Sequence, residues 1–300
     1  MPVHLLPLSR RAFLTRLGAV TTLASSLRAA GSDIDPNLIA ILNDTHIGGA
    51  QPPDSAVPSN LRATIASLLR LPRRPAVVVI NGDLALKDGQ PKDYEHFSQL
   101  IAPLTEAGLP VHLTLGNHDD RTVLARSLKG RFPPNITTVP SKHISIVKTA
   151  QANLFLLDSL KATMVTQGLL GDAQLEWLNQ ALHDHADKPA LIFAHHNPRL
   201  GGDSTHFPGG LEDSDALWEV LVAHPHVKAY LHGHIHHRDF YYHRGIHLLN
   251  TPATSYVANR EISTTGWTLA HLHPTGGDFT TLTHDATHRW NGVTEHLRWR

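Results

Sequence analysis

From Pro36 onward, short apolar runs alternate with amphipathic stretches, and several of the apolar runs stop abruptly at polar clusters. LIAILN (38–43) and AVVVIN (76–81) have the length and unbroken hydrophobicity of strands buried on both faces. Between them a Pro/Gly loop at 48–58 leads into apolar positions at helical spacing, from about Asn60 to Leu71. Asp93 to Ala107 reads as a second helix and VHLTL (111–115) as a third strand. A β-α-β-α-β succession of this kind predicts parallel strands with right-handed crossovers. HISIVK (143–148) and NLFLLD (153–158) read as an antiparallel pair, Asp172 to His183 as a helix, and ALIFAH (190–195) as another buried strand. A glycine-rich loop (197–214) follows, then a helix over Asp215–Ala223, VKAYLHG (227–233), and strands near 239–243 and 246–250. GWTLAHLHP (266–274) and FTTLTH (279–284) form a closing hairpin. With no repeat and no low-complexity linker, the pattern predicts one domain over 36–290.

Composition narrows the chemistry. Lysine plus arginine balance aspartate plus glutamate at 26 each, so no general positive field draws the chain to nucleic acid. Cysteine is absent, which excludes disulfides, thiolate ligands, a cysteine nucleophile and an acyl anchor on an N-terminal cysteine. Histidine, the commonest metal ligand, occurs 24 times against five tyrosines. A metal site here would use nitrogen and oxygen donors, which suit zinc, manganese, iron or cobalt.

The first 31 residues form a separate unit. Ser9-Arg10-Arg11-Ala12-Phe13-Leu14 precedes a mildly apolar run from Leu17 to Leu27 and the small residues Ala29, Ala30 and Gly31. Paired arginines before a modest apolar core resemble a twin-arginine signal peptide, handled by the twin-arginine translocation machinery. The expectation is an exported protein, periplasmic or extracellular, whose mature chain begins near Gly31 and has no membrane span. The competing reading is a short basic helix packed on the domain; Arg16 interrupts the apolar run and Arg28 crowds the cleavage site.

Five polar clusters terminate five of the expected strands: Asp44-Thr45-His46, Gly82-Asp83, Gly116-Asn117-His118-Asp119, His195-His196 and Gly233-His234-Ile235-His236. Carboxyl ends of parallel strands share one sheet edge, where sites gather. On an extended chain residues i and i+2 point the same way, so Asp44 with His46, and His234 with His236, would each present two ligands to one cavity. Composition alone predicts D-x-H about 1.5 times in such a chain but G-N-H-D only ~0.004 times, so the second is the informative motif.

The ordered set D-x-H, G-D, G-N-H-D, H and G-H-x-H resembles the calcineurin-like metallophosphoesterase superfamily over roughly 38–256. GDLALKDGQPKDY (82–94), TPATSY (251–256) and the late GWTLAHL strand look most like its class III cyclic nucleotide phosphodiesterase branch. The resemblance implies a four-layer α/β/β/α sandwich of two mixed sheets with two divalent metal ions at the strand ends. It assigns Asp44, His46 and His236 to one ion and Asn117, His195 and His234 to the other, with Asp83 bridging both. His118 would be the unligated imidazole that protonates the leaving group. Asp119 would either orient that imidazole or cap the next helix. The implied reaction is hydrolysis of phosphodiester or phosphomonoester bonds in a small phosphoester, through a hydroxide bridging the metals.

The chemistry is consistent with this assignment, because two cations a few ångströms apart can acidify water and neutralise phosphoryl oxygens. Purple acid phosphatases place a tyrosine three residues after the bridging aspartate; here that position is Leu86. The acidic-arginine continuations of the protein Ser/Thr phosphatases are also absent. The rival class is an exported metal-binding protein of the same fold without catalysis. His232 and His237 are expected at the surface or behind the ligands, and Arg199 and His206 on a solvated loop. Tyr256 lines the pocket or belongs to the core, and His183, His185, His284 and His288 are expected at the surface.

Overall fold

The computed structural model describes residues 34–130, 139–200 and 209–300. The expected leader over 1–31, and His206, lie outside the described residues.

The chain opens with β1 (Ile34–Asn43), α1 (Ala56–Leu69), β2 (Arg74–Asn81), α2 (Pro91–Glu106) and β3 (Val111–Thr114). These three strands pair in parallel, as the alternating pattern predicts. After α3 (Arg121–Ser127) the chain enters a second sheet with β4 (Ser145–Lys148), antiparallel to β5 (Asn153–Leu156). That sheet continues through α4 (Asp172–Asp184), β6 (Ala190–Phe193), α5 (Ser214–Val222) and β7 (Val227–His232) to the hairpin of β8 (Asp239–His243) and β9 (Ile246–Asn250). The chain then returns to the first sheet as β10 (Gly266–His273), β11 (Gly276–Thr283) and β12 (Thr294–Arg298). The two sheets have the orders β12-β11-β10-β1-β2-β3 and β4-β5-β6-β7-β9-β8, and both are mixed.

Strand periodicity explains the layers. Along β1, Ala40 and Leu42 face a helix-side core with Leu61 of α1 and Phe97 of α2. Their neighbours Ile39 and Ile41 face the other way, meeting Leu154, Leu156, Leu191 and Phe193 of the second sheet. The far face of the second sheet is covered by Leu178 and Leu182 of α4 and by Leu217 and Trp218 of α5. The result is helices, sheet, sheet, helices, the four layers expected. A strand covered on both faces has no polar side, hence the unbroken apolar runs. Burying each such Leu or Ile contributes about 1.5–3 kcal/mol, which fixes the two sheets against each other.

Two elements depart from the sequence pattern. RTVLARS forms α3 although only Leu124 in it is buried; Asp120 caps it by accepting from the Val123 N–H at 2.8 Å. TEHLR forms β12, an edge strand without one fully buried residue, and carries the first sheet past the expected limit at 290. Both are held chiefly by main-chain and tertiary contacts, which leave little trace in hydrophobic periodicity. Among the described residues no helix is long and apolar enough to cross a membrane.

Candidate metal centre

The parallel strands bring the five clusters to one edge. Asp44 and His46 follow β1, Asp83 follows β2, Asn117 and His118 follow β3, His195 follows β6, and His234 and His236 follow β7. Asp44, His46, Asp83, Asn117, His195 and His234 are all buried, and the His236 side chain is only 9% exposed.

Their donor atoms gather into two groups that share one residue. Asp44, His46, Asp83 and His236 form the first and Asp83, His195 and His234 the second, with the donor atoms of each within 4.8 Å of one another. Asp83 Oδ2 lies 3.5 Å from His46 Nε2 and 3.3 Å from His195 Nε2, so one carboxylate faces both groups. His236 Nε2 lies 3.4 Å from Asp44 Oδ1 and 3.1 Å from His46 Nε2.

The rings are turned as metal-binding imidazoles require. His195 Nδ1 meets the Asn81 carbonyl at 3.1 Å, His236 Nδ1 the Tyr256 carbonyl at 2.7 Å, and His46 Nδ1 the Leu86 carbonyl at 3.4 Å. A carbonyl only accepts, so a proton sits on Nδ1 and each Nε2 faces the centre, where it can ligate a cation once it carries no proton of its own. Asn117 Oδ1 is buried with no hydrogen-bond partner, as is His195 Nε2, which has the Asp83 carboxylate nearby but no aligned bond. Leaving such a buried group unsatisfied costs about 1–3 kcal/mol. A divalent cation satisfies both atoms, and the nitrogen and oxygen donors present fit zinc, manganese, iron or cobalt.

The backbone reaches this geometry by strain. Asp44 (φ 52°), His46 (46°), Asp83 (48°), His234 (71°) and His236 (49°) all lie in the left-handed region. The expected presentation of each i, i+2 pair from an extended chain is therefore corrected: each cluster curls immediately past its strand. Asp44 and His46 enter one group, whereas His234 and His236 divide between the two. Such conformations cost of order 1–3 kcal/mol each and persist at functional sites when surroundings impose them. The motif glycines make room. A Cβ on Gly116 would stand 2.2 Å from Asp83 Oδ1, and one on Gly233 2.4 Å from Asp44 Oδ2.

Electrostatics follow from two carboxylates buried among imidazoles. Burial alone would raise Asp44 and Asp83, but the neighbouring histidines, His236 for Asp44 and His195 for Asp83, hold both below the usual carboxylate range. Burial lowers His195, yet Asp83 and Asp44 outweigh it and push the ring up to about 9. Burial pushes His46 down to about 4 and His234 to about 3. The centre thus favours positive charge at its middle.

His118 lines the cleft above the centre. Its N–H donates to Asp83 Oδ1 at 2.9 Å, and its ring Nδ1 meets the Lys87 carbonyl at 2.7 Å. Asp119 plays neither expected role. Its carboxylate accepts from the N–H groups of Gly116 (2.9 Å), Ala85 (3.1 Å) and Leu84 (3.2 Å), and from the Tyr94 hydroxyl (3.2 Å). It staples the loop after β2 to the turn after β3. The Lys87 carbonyl orients His118 instead, and Asp120 is the helix cap. Burial, aided by Asp83, pushes Asp119 up to about 6.

Other residues are placed as follows. Tyr256 stands at the mouth, 45% exposed, its ring centroid 4.4 Å from that of His236. His232 is buried, at 2% exposure, so it is not a surface residue. The Arg199 N–H donates to Ser214 Oγ at 2.7 Å. His183 is exposed and His185 and His288 are half-buried, while His284 ties Thr64 to Thr265 at 2.8 and 2.9 Å. Sequence reasoning gave no role to His196, whose ring packs on those of His195 and His234 and whose Nδ1 meets Ser159 Oγ at 2.8 Å. The His195-His196 doublet was the available signal. Met164, which lines the cleft, sits in a loop without any motif.

This fold and this buried Asp/His cluster define a metallophosphoesterase, a metal-dependent hydrolase of phosphoric esters. The chain belongs to the calcineurin-like phosphoesterase family, whose model matches residues 38–238. It is 33% identical over 207 residues to the 3',5'-cyclic adenosine monophosphate phosphodiesterase CpdA of Escherichia coli K12, covering 67% of this chain and 71% of the relative. The CpdA of Vibrio vulnificus is 33% identical over 184 residues, 59% of this chain and 60% of that one. The glycerophosphodiester phosphodiesterase GpdQ of Enterobacter lignolyticus is 28% identical over 190 residues, covering 63% of this chain and 66% of that protein. In fold, the chain is similar to a dimetal phosphatase from Danio rerio, with a TM-score of 0.67 at 16% identity over 89% of this chain and 100% of the other.

Proposed function

We propose that the chain is a binuclear phosphodiesterase acting on small phosphodiesters. The observation that carries the reading is the Asp83 carboxylate, common to two donor groups. Asp44, His46 and His236 would complete one site, and Asn117, His195 and His234 the other. Divalent cations there would acidify water and neutralise the phosphoryl oxygens, the two requirements for attack on an anionic diester. The chain's own groups supply the rest. The Asp83 carboxylate sets the spacing and is itself held by the His118 N–H. With Nδ1 donating to the Lys87 carbonyl, the His118 ring in its imidazolium form can deliver the second proton, on Nε2, to the departing alkoxide and is left as the neutral Nδ1–H tautomer. The cleft holds ≈ 280 Å³, just below the usual range of ligand pockets, roughly 300–1,000 Å³, so it fits a phosphoryl group with a compact substituent. The relatives named for cyclic nucleotides and glycerophosphodiesters support a diester.

The test is metal analysis of purified protein together with hydrolysis of bis(p-nitrophenyl) phosphate. Two ions per chain and metal-dependent turnover are expected. Two bound ions with no turnover of any diester under zinc, manganese, iron or cobalt would leave the metal-binding protein without catalysis as the better reading.

The leader completes the proposal: export through the twin-arginine route to the periplasm or the extracellular space. It rests on Arg10-Arg11 and the apolar run after them. Changing both arginines to lysine is expected to leave the unprocessed protein in the cytoplasm, as fractionation would show. Normal export of that variant would rule the route out.

A further inference from the structure

The metal-ligating floor of the cleft is polar, but its rim is not. Among the described residues six large hydrophobic side chains are well exposed, and four of them, Leu86, Met164, Tyr256 and Ile262, sit on loops that build the centre. The Leu86 carbonyl meets His46, the Met164 N–H donates to the Asn117 carbonyl at 2.8 Å, the Tyr256 carbonyl meets His236, and Ser263 beside Ile262 bonds the His236 carbonyl. Exposed apolar groups gathered around one cleft, rather than scattered, mark a binding surface.

Two of the four line the cleft itself, Tyr256 and Met164. The Tyr256 ring packs at a tilt of 45° and 49° against those of His46 and His236, with centroids 5.0 and 4.4 Å away, and Tyr256 remains 45% exposed. Met164 is 48% exposed and holds φ at 66°, a left-handed conformation in which glycine would be unstrained. Its backbone is fixed by the bond to Asn117, so strain is imposed on a residue whose side chain packs little and points into the cleft's lining. A thioether kept exposed at a position suited to glycine is unexplained by stability.

We infer that Tyr256 and Met164 form an apolar clamp at the cleft mouth that takes a planar aromatic substituent of the phosphodiester, an aryl group or a nucleobase, in preference to a glycerol-type alcohol. The aromatic face offers stacking and the sulfur offers favourable contact with a ring edge. A polyol would lose hydrogen bonds to water against these two side chains without equivalent replacements. This inference rests on the phosphodiesterase reading above and adds the class of substituent.

The test compares bis(p-nitrophenyl) phosphate with a glycerophosphodiester in wild type and variants, scored as the ratio of their kcat/KM values. Taking the ratio relative to wild type removes the difference in leaving group. Tyr256→Ala leaves the backbone carbonyl that orients His236 in place, and is expected to lower the ratio roughly 3- to 10-fold, mainly through KM on the aryl ester. Tyr256→Phe should restore it. Met164→Gly relieves the left-handed strain, so Tm should hold or rise while the ratio falls about 2-fold or more.

If either alanine or glycine variant loses both substrates in proportion, together with metal, the residue is structural and the clamp is wrong. Unchanged ratios in both variants overturn it as well. Wild-type protein that binds metal and cleaves neither diester would instead overturn the phosphodiesterase reading, and the clamp with it.

Discussion

Asp83→Asn is expected to lose both metal ions together, with hydrolysis falling to background. The Asp83 carboxylate faces His46 at 3.5 Å and His195 at 3.3 Å, and among the described residues no other belongs to both donor groups. Asparagine keeps the volume, so packing survives while the charge shared by the two donor groups is gone. Outer partners of metal ligands typically contribute 10–100-fold to metal affinity, and a shared ligand should exceed about 100-fold at each site. His236→Ala is the matched control, because His236 belongs to one group only. On the proposed binuclear reading it should cost one ion per chain and spare the other. Elemental analysis after dialysis, with circular dichroism to confirm the fold, reads both outcomes. Two tightly held ions in Asp83→Asn would refute the shared-ligand assignment.

His118→Ala should leave metal content near normal and damage turnover according to the leaving group. The side chain belongs to neither donor group, and its ring is held by the Lys87 carbonyl at 2.7 Å. Its backbone N–H, which donates to Asp83, survives the substitution. General acid assistance is typically worth 10²–10⁴-fold, about 3–5 kcal/mol of barrier. An alkyl phosphodiester, whose alkoxide leaves badly without a proton, should show a loss in that range. A p-nitrophenyl ester should show far less, since its phenolate departs with little protonation. Measuring kcat/KM for both esters, with metal content checked, separates the roles. Equal losses on both would make His118 a structural or substrate-holding residue.

The geometry also explains how far the sequence could be read. Strand positions were legible because β1, β2, β6 and β7 are covered on both faces, and a doubly covered strand must be apolar throughout. The ligand-type residues were legible because each polar cluster follows a strand, and parallel strands end at one edge. The conformation of those clusters was not. Positive φ at Asp44, His46, Asp83, His234 and His236 is uncommon even for Asp and His, the types enriched there among non-glycine residues, so residue type alone does not announce it. Asp119 shows the same limit. An acidic residue between an imidazole and a helix suggests an orienting partner or a cap, but its carboxylate bonds Leu84 and Ala85, more than thirty residues earlier in the chain.

By itself, then, the sequence determined which runs become buried strands, the order of the strands' polar termini and the kinds of donor atom on offer, because these depend on periodicity and on residue chemistry; the four layers came from the family resemblance. Tertiary structure alone decided which nitrogen of each ring faces the centre and what stands at the cleft mouth. Each of these depends on a partner distant in the chain: the Asn81 carbonyl for His195, the Lys87 carbonyl for His118, and the Asn117 carbonyl for Met164. Hydrogen-bond direction and close packing are properties of atoms in space, and a linear pattern carries them only after the chain has folded.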